Sequence, residues 1–201
     1  MSHPDKRQVD FQVIFDWVKP KSRVLDLGCG RGVLLEQLIQ RREVNGMGVD
    51  IELDKVSACV RRKVPAYHGT IETALAAFDE NSFDHVIISR TLEVIENPAE
   101  ILKEALRVGQ TVMVGLINHA WWINRVNLLV HGRRTVNAVL PDVWKRSGKL
   151  TLFAIRDFES FCDAEGILIH RRHYFRGDWQ RECRIAPNLR AGYALYEIQR
   201  G

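Results

Sequence analysis

The chain has 201 residues with a formal net charge of +4, and 46% of the residues are hydrophobic and 27% charged. This length predicts one domain that can bury enough surface to fold without a disulfide or a metal. The composition excludes disordered and collagen-like chains. No apolar run approaches the roughly 18 residues that cross a bilayer, and the polar start lacks the apolar run of a secretory signal. We therefore expect a soluble, cytoplasmic protein.

The cysteines agree with a reducing compartment. Four of them are scattered along the chain, at Cys29, Cys59, Cys162 and Cys183. They form no C-x-x-C pair and show no spacing typical of a zinc site. We expect free thiols and no metal.

Charge is distributed unevenly. Up to Ile117 there are 15 basic and 17 acidic residues, whereas the chain from Asn118 onward has 14 basic and 8 acidic residues. The positive excess in the second part indicates either an anionic ligand, an acidic partner surface, or a basic face that binds only water.

Apolar runs alternate with segments of helical periodicity through the first part of the chain. Strands are predicted at Ser22–Leu27, Gly46–Ile51, Ala66–His68, Phe83–Ser89 and Thr111–Ile117. Helices are predicted from Gly32 through Ile39, at Leu53–Lys63, around Ile71–Phe78 and from Pro98 to just before Gly109. This alternation predicts an α/β protein with a mostly parallel sheet and helices on both faces.

The pattern changes after Ile117. Asn118–Leu150 contains Trp121, Trp122 and Trp144 and is too long for an ordinary connection, so we interpret it as a lid or interface insertion in a single domain. A helix is predicted at Arg156–Glu165, and two closing strands are predicted at Ile167–Phe175 and Ala191–Gln199. The polar, basic segment Arg176–Arg190 between those strands is predicted as an exposed loop.

The strongest functional signal is the segment Val24–Gly32, with the sequence VLDLGCGRG. A buried strand enters a turn with glycine at every second position, and a helix begins at once. Glycine there allows the main chain to approach a ligand closely, and the helix N-terminus favours an electron-rich group. Asp50 ends the second strand, where an acid can accept hydrogen bonds from ribose hydroxyls. The alternative is a tight turn that binds nothing.

Two details favour a ligand other than a dinucleotide. The spacing is G-x-G-x-G, not the G-x-G-x-x-G that receives a pyrophosphate. Asp26 within the strand could reach a ligand ammonium group. A ligand with an amino-acid end and a nucleoside end fits these features better than NAD.

The segment Val24–Gly32 resembles the first motif of the class I S-adenosylmethionine-dependent methyltransferases. Within that superfamily the chain is similar to the methionine biosynthesis protein MetW. The stretches that carry this second resemblance are Arg90–Leu92, Asn97–Pro98, Leu106–Gly109, Trp122–Gly132 and Thr151–Phe161. The resemblance implies a Rossmann-like, seven-stranded, mostly parallel sheet whose last strand is antiparallel.

The same resemblance implies a site for S-adenosylmethionine or S-adenosylhomocysteine. The cofactor-binding residues that it implies are Asp26, Gly28, Cys29, Gly30, Asp50, Ile51, Thr70, Ile71, Ser89 and Arg90. Asp26, Gly28 and Gly30 would line the methionine end and Asp50 the ribose, with Ser89 and Arg90 beside the sulfonium. Thr70 is a departure, because an acid that contacts the adenine amine usually stands there; Glu72 could replace it.

No catalytic group is evident in the sequence. Methyl transfer can proceed largely by proximity and alignment, and the fourth strand ends without the Asn/Asp-Pro-Pro-aromatic clamp used on amide or base nitrogens. His85 is predicted to be a hydrogen-bonded core residue, not a base. His119, with Asn118, either faces a substrate or caps a loop.

Three functions therefore remain open. The resemblance to MetW implies a binding protein that assists or regulates homoserine O-acyltransferase in methionine synthesis. An active methyltransferase acting on a small molecule is the alternative, and an RNA methyltransferase is the least favoured. Trp121 and Trp122 are predicted to fill core or an interface rather than to stack on a base.

Overall fold

A computed structural model describes residues 6–132, 151–177 and 181–201. It contains one seven-stranded sheet. The strands are β1 (Arg23–Leu27), β2 (Asn45–Asp50), β3 (Ala66–His68), β4 (Phe83–Ser89), β5 (Gly109–Ile117), β6 (Ile167–Arg176) and β7 (Ala191–Arg200). The helices are α1 (Lys6–Trp17), α2 (Val33–Arg42), α3 (Leu53–Arg61), α4 (Ile71–Ala76), α5 (Pro98–Val108), α6 (Trp122–His131), α7 (Ile155–Ala164) and α8 (Pro187–Arg190). A 3-10 turn covers Leu92–Val94.

The strand order is β3-β2-β1-β4-β5-β7-β6. Strands β1 to β5 pair in parallel, and β7 lies antiparallel between β5 and β6. The predicted mostly parallel sheet of class I methyltransferases, with an antiparallel last strand, is therefore confirmed. Because the parallel strands share one direction, their carboxyl ends all meet at one edge of the sheet, which we call the carboxyl edge.

Two apolar layers cover the sheet. One layer contains α4, α5 and α7, which pack on residues such as Leu25, Val86 and Val114. The other contains α1, α2 and the buried Cys59 of α3, which pack on Val24, Ile87 and Met113. Alternate strand residues thus point to opposite faces, as expected for strands buried on both sides.

Helix α1 was not predicted. Ile14 and Val18 are buried against the second layer, and Phe11 packs against it from a partly exposed position. These residues, with Phe15, recur at helical spacing, so periodicity could have found the helix. The polar beginning of the chain concealed it. The other predicted strands and helices are present, with ends that differ by a few residues.

The segment after β5 is more regular than predicted. Helix α6 occupies Trp122–His131 within the predicted insertion, and residues 133–150, including Trp144, lie outside the described part of the chain. The short helix α8 lies in the predicted loop Arg176–Arg190. Across the ranges that the structure describes, no helix combines the length and apolar character needed to span a membrane.

The opposite edge of the sheet, which we call the amino edge, holds a buried polar network around His85. His85 is 1% exposed; its Nε2 accepts the Lys19 N–H at 3.2 Å, and its Nδ1 lies 2.6 Å from Thr111 Oγ1. Since Nε2 accepts a hydrogen bond, Nδ1 carries the proton of the neutral ring and donates to Thr111 Oγ1. Burial lowers the pKa of His85 to about 4. The prediction of a hydrogen-bonded core histidine is confirmed.

Candidate functional site at the carboxyl edge

All ten residues predicted to bind a cofactor lie at the carboxyl edge. They follow or end four adjacent parallel strands, with Asp26, Gly28, Cys29 and Gly30 at β1, Asp50 and Ile51 at β2, Thr70 and Ile71 after β3, and Ser89 and Arg90 at β4. Residues separated by more than 60 positions in the sequence are therefore brought to one side of the sheet. Ligands of open α/β sheets bind at this edge.

The three glycines of the first loop have different surroundings. Gly30 has a φ of +59°, and a Cβ built on it would meet no atom within 4 Å. A Cβ on Gly28 would collide with the side chain of Thr91, and one on Gly32 would lie 2.8 Å from Cys59 Sγ. The resemblance implies that Gly28 and Gly30 line the ligand. The surroundings of the three glycines differ, because a Cβ on Gly28 or Gly32 would meet side chains of neighbouring elements, whereas Gly30 faces open space.

Backbone hydrogen bonds hold this loop against β2. The N–H groups of Gly28 and Cys29 both donate to Val49 O, at 2.8 and 3.0 Å. The Gly30 N–H donates to Asp50 Oδ2 at 2.9 Å, and Asp50 Oδ1 accepts from the Glu52 N–H at 2.9 Å. Asp50 thus fixes the loop conformation. Each of its oxygens can accept a second hydrogen bond, so it retains acceptor capacity.

Asp26 is a buried carboxylate beneath the loop. It is 4% exposed, and its side chain makes no hydrogen bond to the described residues. Burial, with a smaller contribution from the charge of Asp50, raises the pKa of Asp26 to about 7. A buried carboxylate without a donor is costly unless a cation or hydrogen-bond donor compensates it. The side chain therefore fits the recognition of an ammonium group, as its position in the sequence indicated.

Cys29 contributes to this loop through its backbone. Its Sγ lies 3.9 Å from Cys59 Sγ, and a Cβ on Gly48 would meet Cys29 Sγ at 2.5 Å. The side chain thus packs between β2 and α3. Burial raises the pKa of the Cys29 thiol strongly, so the thiol stays protonated and is a weak nucleophile.

The predicted nucleoside side of the site combines exposed apolar and capping groups. Ile51 is 65% exposed at the end of β2, and Ile71 begins α4. Thr70 Oγ1 accepts the Thr73 N–H at 3.2 Å and so forms the N-cap of α4. The hydroxyl of Thr70 therefore already has a structural role at the position where an acid is usual, and Glu72 is exposed two residues further along the chain.

Two residues that the sequence analysis missed hold Ser89 and Arg90. Arg90 Nη2 donates to Asp10 Oδ1 at 2.9 Å, and Ser89 Oγ lies 3.4 Å from Asp10 Oδ2 and 3.1 Å from the Tyr193 hydroxyl. Asp10 is fully buried, and burial raises its pKa although Arg90 opposes the shift. The missed helix α1 therefore reaches the end of β4 and orients both predicted residues.

Glu93 is a further buried acid that sequence reasoning could not assign. It is 3% exposed, and its Oε1 accepts the Ile117 N–H at 2.6 Å. Its Oε2 has no hydrogen-bond partner within the described ranges, and burial raises its pKa. It lies between the ends of β4 and β5. A glutamate after a strand is usually exposed, so no sequence signal revealed it.

Asn118 is a structural anchor, not a substrate-facing group. Its Nδ2 donates to the carbonyls of Asn188 and Ala191 at 3.0 and 2.8 Å, and its Oδ1 accepts from the Ala120 N–H at 3.1 Å. His119 beside it is half-buried, and its N–H donates to Phe153 O at 3.3 Å. The loop-capping alternative is thus correct for Asn118, which ties the end of β5 to α8.

Comparison with known families identifies the chain. The family model for methionine biosynthesis protein MetW matches residues 8–198. The chain belongs to the MetW family. The bifunctional methionine biosynthesis protein MetXA/MetW of Rhodopirellula baltica is 34% identical over 133 residues, which are 62% of this chain and 21% of that protein. A ubiquinone biosynthesis O-methyltransferase of Mesorhizobium japonicum is 32% identical over 137 residues, 64% of this chain and 53% of that protein. The MetW-family chain therefore spans about a fifth to a half of these relatives.

Solved structures share its fold. A SAM-dependent methyltransferase of Thermotoga maritima, described as a possible histamine N-methyltransferase, has a TM-score of 0.67 at 14% identity, over 98% of this chain and 91% of that chain. Geranyl diphosphate C-methyltransferase of Streptomyces coelicolor, in complex with S-adenosylhomocysteine, has a TM-score of 0.63 at 12% identity, over 97% of this chain and 79% of that chain. The MetW-family chain thus has the class I methyltransferase fold.

Proposed function

We propose that this MetW-family protein binds S-adenosylmethionine or S-adenosylhomocysteine at the carboxyl edge and regulates homoserine O-acyltransferase. The observation that carries the binding proposal is the pairing of two features, the open main chain at Gly30 and the buried carboxylate of Asp26, which has no donor among the described residues. Asp26 would accept the ligand ammonium group, Asp50 the ribose hydroxyls, and Ile51 would cover the adenine ring. A methyltransferase of the same fold holds S-adenosylhomocysteine.

Calorimetry with both compounds tests the binding proposal. We expect the wild-type protein to bind both, and Gly30→Val to weaken binding about 100-fold or more, a loss of roughly 2.7 kcal/mol. Gly166→Val is the matched control. Gly166 has a φ of +66° and nothing within 4 Å of a built Cβ, but it follows α7 at the amino edge. Equal loss of affinity in both variants, or no heat with the wild-type protein, would contradict the proposal.

The proposed role in methionine synthesis has a separate support. The relative from Rhodopirellula baltica carries MetXA and MetW in one chain. Fusion makes two parts permanent neighbours, which favours functions that depend on contact. The acyltransferase is the partner that the MetW resemblance implies, and the bound cofactor would report the supply of S-adenosylmethionine to it.

Kinetics of homoserine O-acyltransferase test this role. The rate is measured with and without the protein, at saturating S-adenosylmethionine, with S-adenosylhomocysteine, and without either compound. We expect the protein to change the rate and the two compounds to modulate that change. An acyltransferase rate that is unaffected at every concentration of the protein would exclude the regulatory role.

A methyltransferase acting on a small molecule is a second candidate function. Glu93 favours it, because a buried acid between the ends of β4 and β5 lies at the edge where ligands of open α/β sheets bind, and burial raises its pKa, which favours the protonated form that a general acid needs. The O-methyltransferase relative supports the same candidate. Transfer of label from S-adenosylmethionine to cell extract tests it, with Glu93→Gln as the variant expected to lose turnover while still binding the cofactor.

The proposed setting is the cytoplasm. All four cysteines, Cys29, Cys59, Cys162 and Cys183, are free thiols, which is the state expected in a reducing compartment. Fractionation of cells that express a tagged protein tests this, and recovery in a secreted fraction would contradict it.

A further inference from the structure

Helix α6 carries an exposed apolar face. Trp122, Val126 and Leu129 are 47%, 45% and 87% exposed, and Val130 is 65% exposed beside them. Their spacing of four, three and one residues places them on one stripe of the helix. Soluble proteins seldom expose apolar groups contiguously in this way except at interaction sites.

The stripe begins at a cavity. Trp122 and the neighbouring Trp121 line a cavity of about 610 Å³ together with Leu189 of α8 and Gly177 after β6. Trp121 is 8% exposed, and its indole occupies the space in which a Cβ of Gly177 would lie. The apolar stripe of α6 and this cavity therefore form one continuous surface, which we call the α6 surface.

Two cations stand at the rim of the cavity. Arg176 and Arg190 both line it and are exposed, and neither guanidinium contacts a carboxylate within the described ranges. Other arginines of the second half of the chain are paired, such as Arg171 with Glu197 at 3.1 Å and Arg172 with Glu159 at 3.8 Å. The α6 surface thus offers apolar anchoring sites beside uncompensated positive charge, in the part of the chain that carries the positive excess.

The scaffold of this surface is rigid. Asn118, fully buried, binds backbone groups of both α8 and the segment that leads into α6. The N-termini of α6 and α8 are therefore fixed relative to β5. A pre-organised surface binds at a lower entropic cost.

We infer that the α6 surface is the docking site for homoserine O-acyltransferase, on a patch of that enzyme which presents apolar side chains beside acidic ones. This inference rests on the proposed function. Trp and Arg are among the residue types enriched in the energetic centres of protein interfaces, and Arg176 and Arg190, which contact no carboxylate among the described residues, favour carboxylates on the partner. The fused relative carries MetXA and MetW in one protein, which supplies the occupant for a face that is exposed in the described part of the chain.

Binding of the purified acyltransferase tests the inference. Four variants are compared with the wild-type protein. Two change the α6 surface, namely Leu129→Asp and the double variant Arg176→Glu/Arg190→Glu, and two are controls, namely Val60→Asp and Arg61→Glu. Val60 is 64% exposed and Arg61 is exposed, both at the end of α3, at the amino edge. Binding of S-adenosylmethionine and the Tm of every variant are measured alongside.

We expect Leu129→Asp and the double arginine variant each to weaken binding about tenfold or more, with unchanged Tm and unchanged cofactor affinity, and both control variants to bind as the wild type does. If the wild-type protein does not bind the enzyme, both the proposed regulatory role and this inference are wrong. Binding that survives both α6-surface variants would overturn the inference alone. A Tm lowered by several degrees in Leu129→Asp would also overturn it, because the face would then be covered by the chain itself.

Discussion

Buried polar groups at the two edges of the sheet differ in their hydrogen bonding. At the amino edge, both ring nitrogens of His85 have partners, and Asp84 beside it accepts hydrogen bonds from the backbone N–H and guanidinium of Arg23 at 2.7 and 3.1 Å. At the carboxyl edge, Asp26 is 4% exposed and has no side-chain hydrogen bond to the described residues, and Glu93 Oε2 is buried without a hydrogen-bond partner among them. The carboxyl edge therefore combines buried polar groups that are paired, such as Asp10, Asp50 and Asn118, with carboxyl oxygens for which the described residues supply no donor.

Hydrogen-bonded and unpaired buried groups have different effects on folding and on ligand binding. A satisfied buried group contributes to folding, whereas a buried carboxylate without a partner costs free energy that a ligand can recover. The shifts in pKa follow the same division. Hydrogen bonding by Arg23 lowers the pKa of Asp84, but burial raises the pKa of Asp26 to about 7. The carboxyl edge is therefore where the proposed ligand would recover free energy that the burial of Asp26 costs.

The largest expected effect is at the amino edge. His85→Ala should lower the free energy of unfolding by about 2–4 kcal/mol near neutral pH, because it opens a cavity and leaves the Lys19 N–H and Thr111 without their partner. Affinity for S-adenosylmethionine should not change. Denaturant titration and calorimetry provide the two measurements.

His170→Ala is the control for this variant, since His170 is an exposed residue of β6 and should cost less than about 0.5 kcal/mol. The unfolded chain protonates His85 near its ordinary pKa, but the folded chain does so only at about 4. Wild-type stability therefore decreases as the pH is lowered from about 6.5 to about 4. The difference in unfolding free energy between wild type and variant should become smaller over the same range. A gap that widens on acidification would contradict this account.

Asp26→Asn should have opposite effects on binding and stability. Affinity for S-adenosylmethionine should fall about 10- to 100-fold through the loss of a charge-assisted hydrogen bond. Stability should rise by roughly 1–3 kcal/mol near neutral pH, because the folded wild type must ionise a buried group whose pKa is raised. Asp163→Asn, an exposed change at the end of α7, should do neither. A destabilised Asp26→Asn protein would count against the comparison of the edges.

Affinity should also depend on pH in a way that Asp26 controls. With a pKa of about 7 in the unliganded protein, Asp26 is increasingly protonated below neutrality, so affinity should drop up to about tenfold per pH unit on the acid side. On the alkaline side, affinity should fall once the ligand amine, whose usual pKa is about 8, loses its proton. Calorimetry across this pH range should show a maximum in affinity. The affinity of Asp26→Asn should not decrease on the acid side of that maximum. A flat wild-type profile would remove the ammonium role from Asp26.

The smallest expected effect concerns Thr70. Thr70→Ala should lower stability by about 1 kcal/mol through loss of the α4 N-cap and leave cofactor affinity nearly unchanged. Thr70→Asp keeps a capping group and supplies the acid usual in the superfamily, so it should retain stability and raise affinity a few-fold. If Thr70→Ala weakened binding as strongly as Asp26→Asn, the hydroxyl would be a principal adenine contact.

Much of the fold could be predicted from periodicity, because buried strands and amphipathic helices place apolar residues at spacings that the sequence displays. Phe83–Ser89 and Pro98–Val108 are clear cases. Helix α1 escaped because its apolar stripe is short and interrupted by charges. The chemistry of Asp10 at the end of β4 could not be inferred, since Asp10 and Arg90 are 80 residues apart.

The same limit applies to the candidate site. The glycine spacing and Asp50 predicted its position, because a tight turn and a strand end are local features. The sequence did not separate Gly30, which faces open space, from Gly28 and Gly32, whose neighbours Thr91 and Cys59 come from other elements. The sequence also did not indicate that Thr70, which is predicted to contact the adenine, forms the N-cap of α4.

By itself, the sequence determined the class of fold, the family and the edge at which a ligand would bind, because these depend on local spacing and strand order. Tertiary structure decided which acids are buried, which of them have no donor among the described residues, and which arginines lie beside an apolar helix face. Burial and pairing are properties of distant residues brought together by packing, and the energy of a charged group depends on those neighbours more than on its own place in the chain.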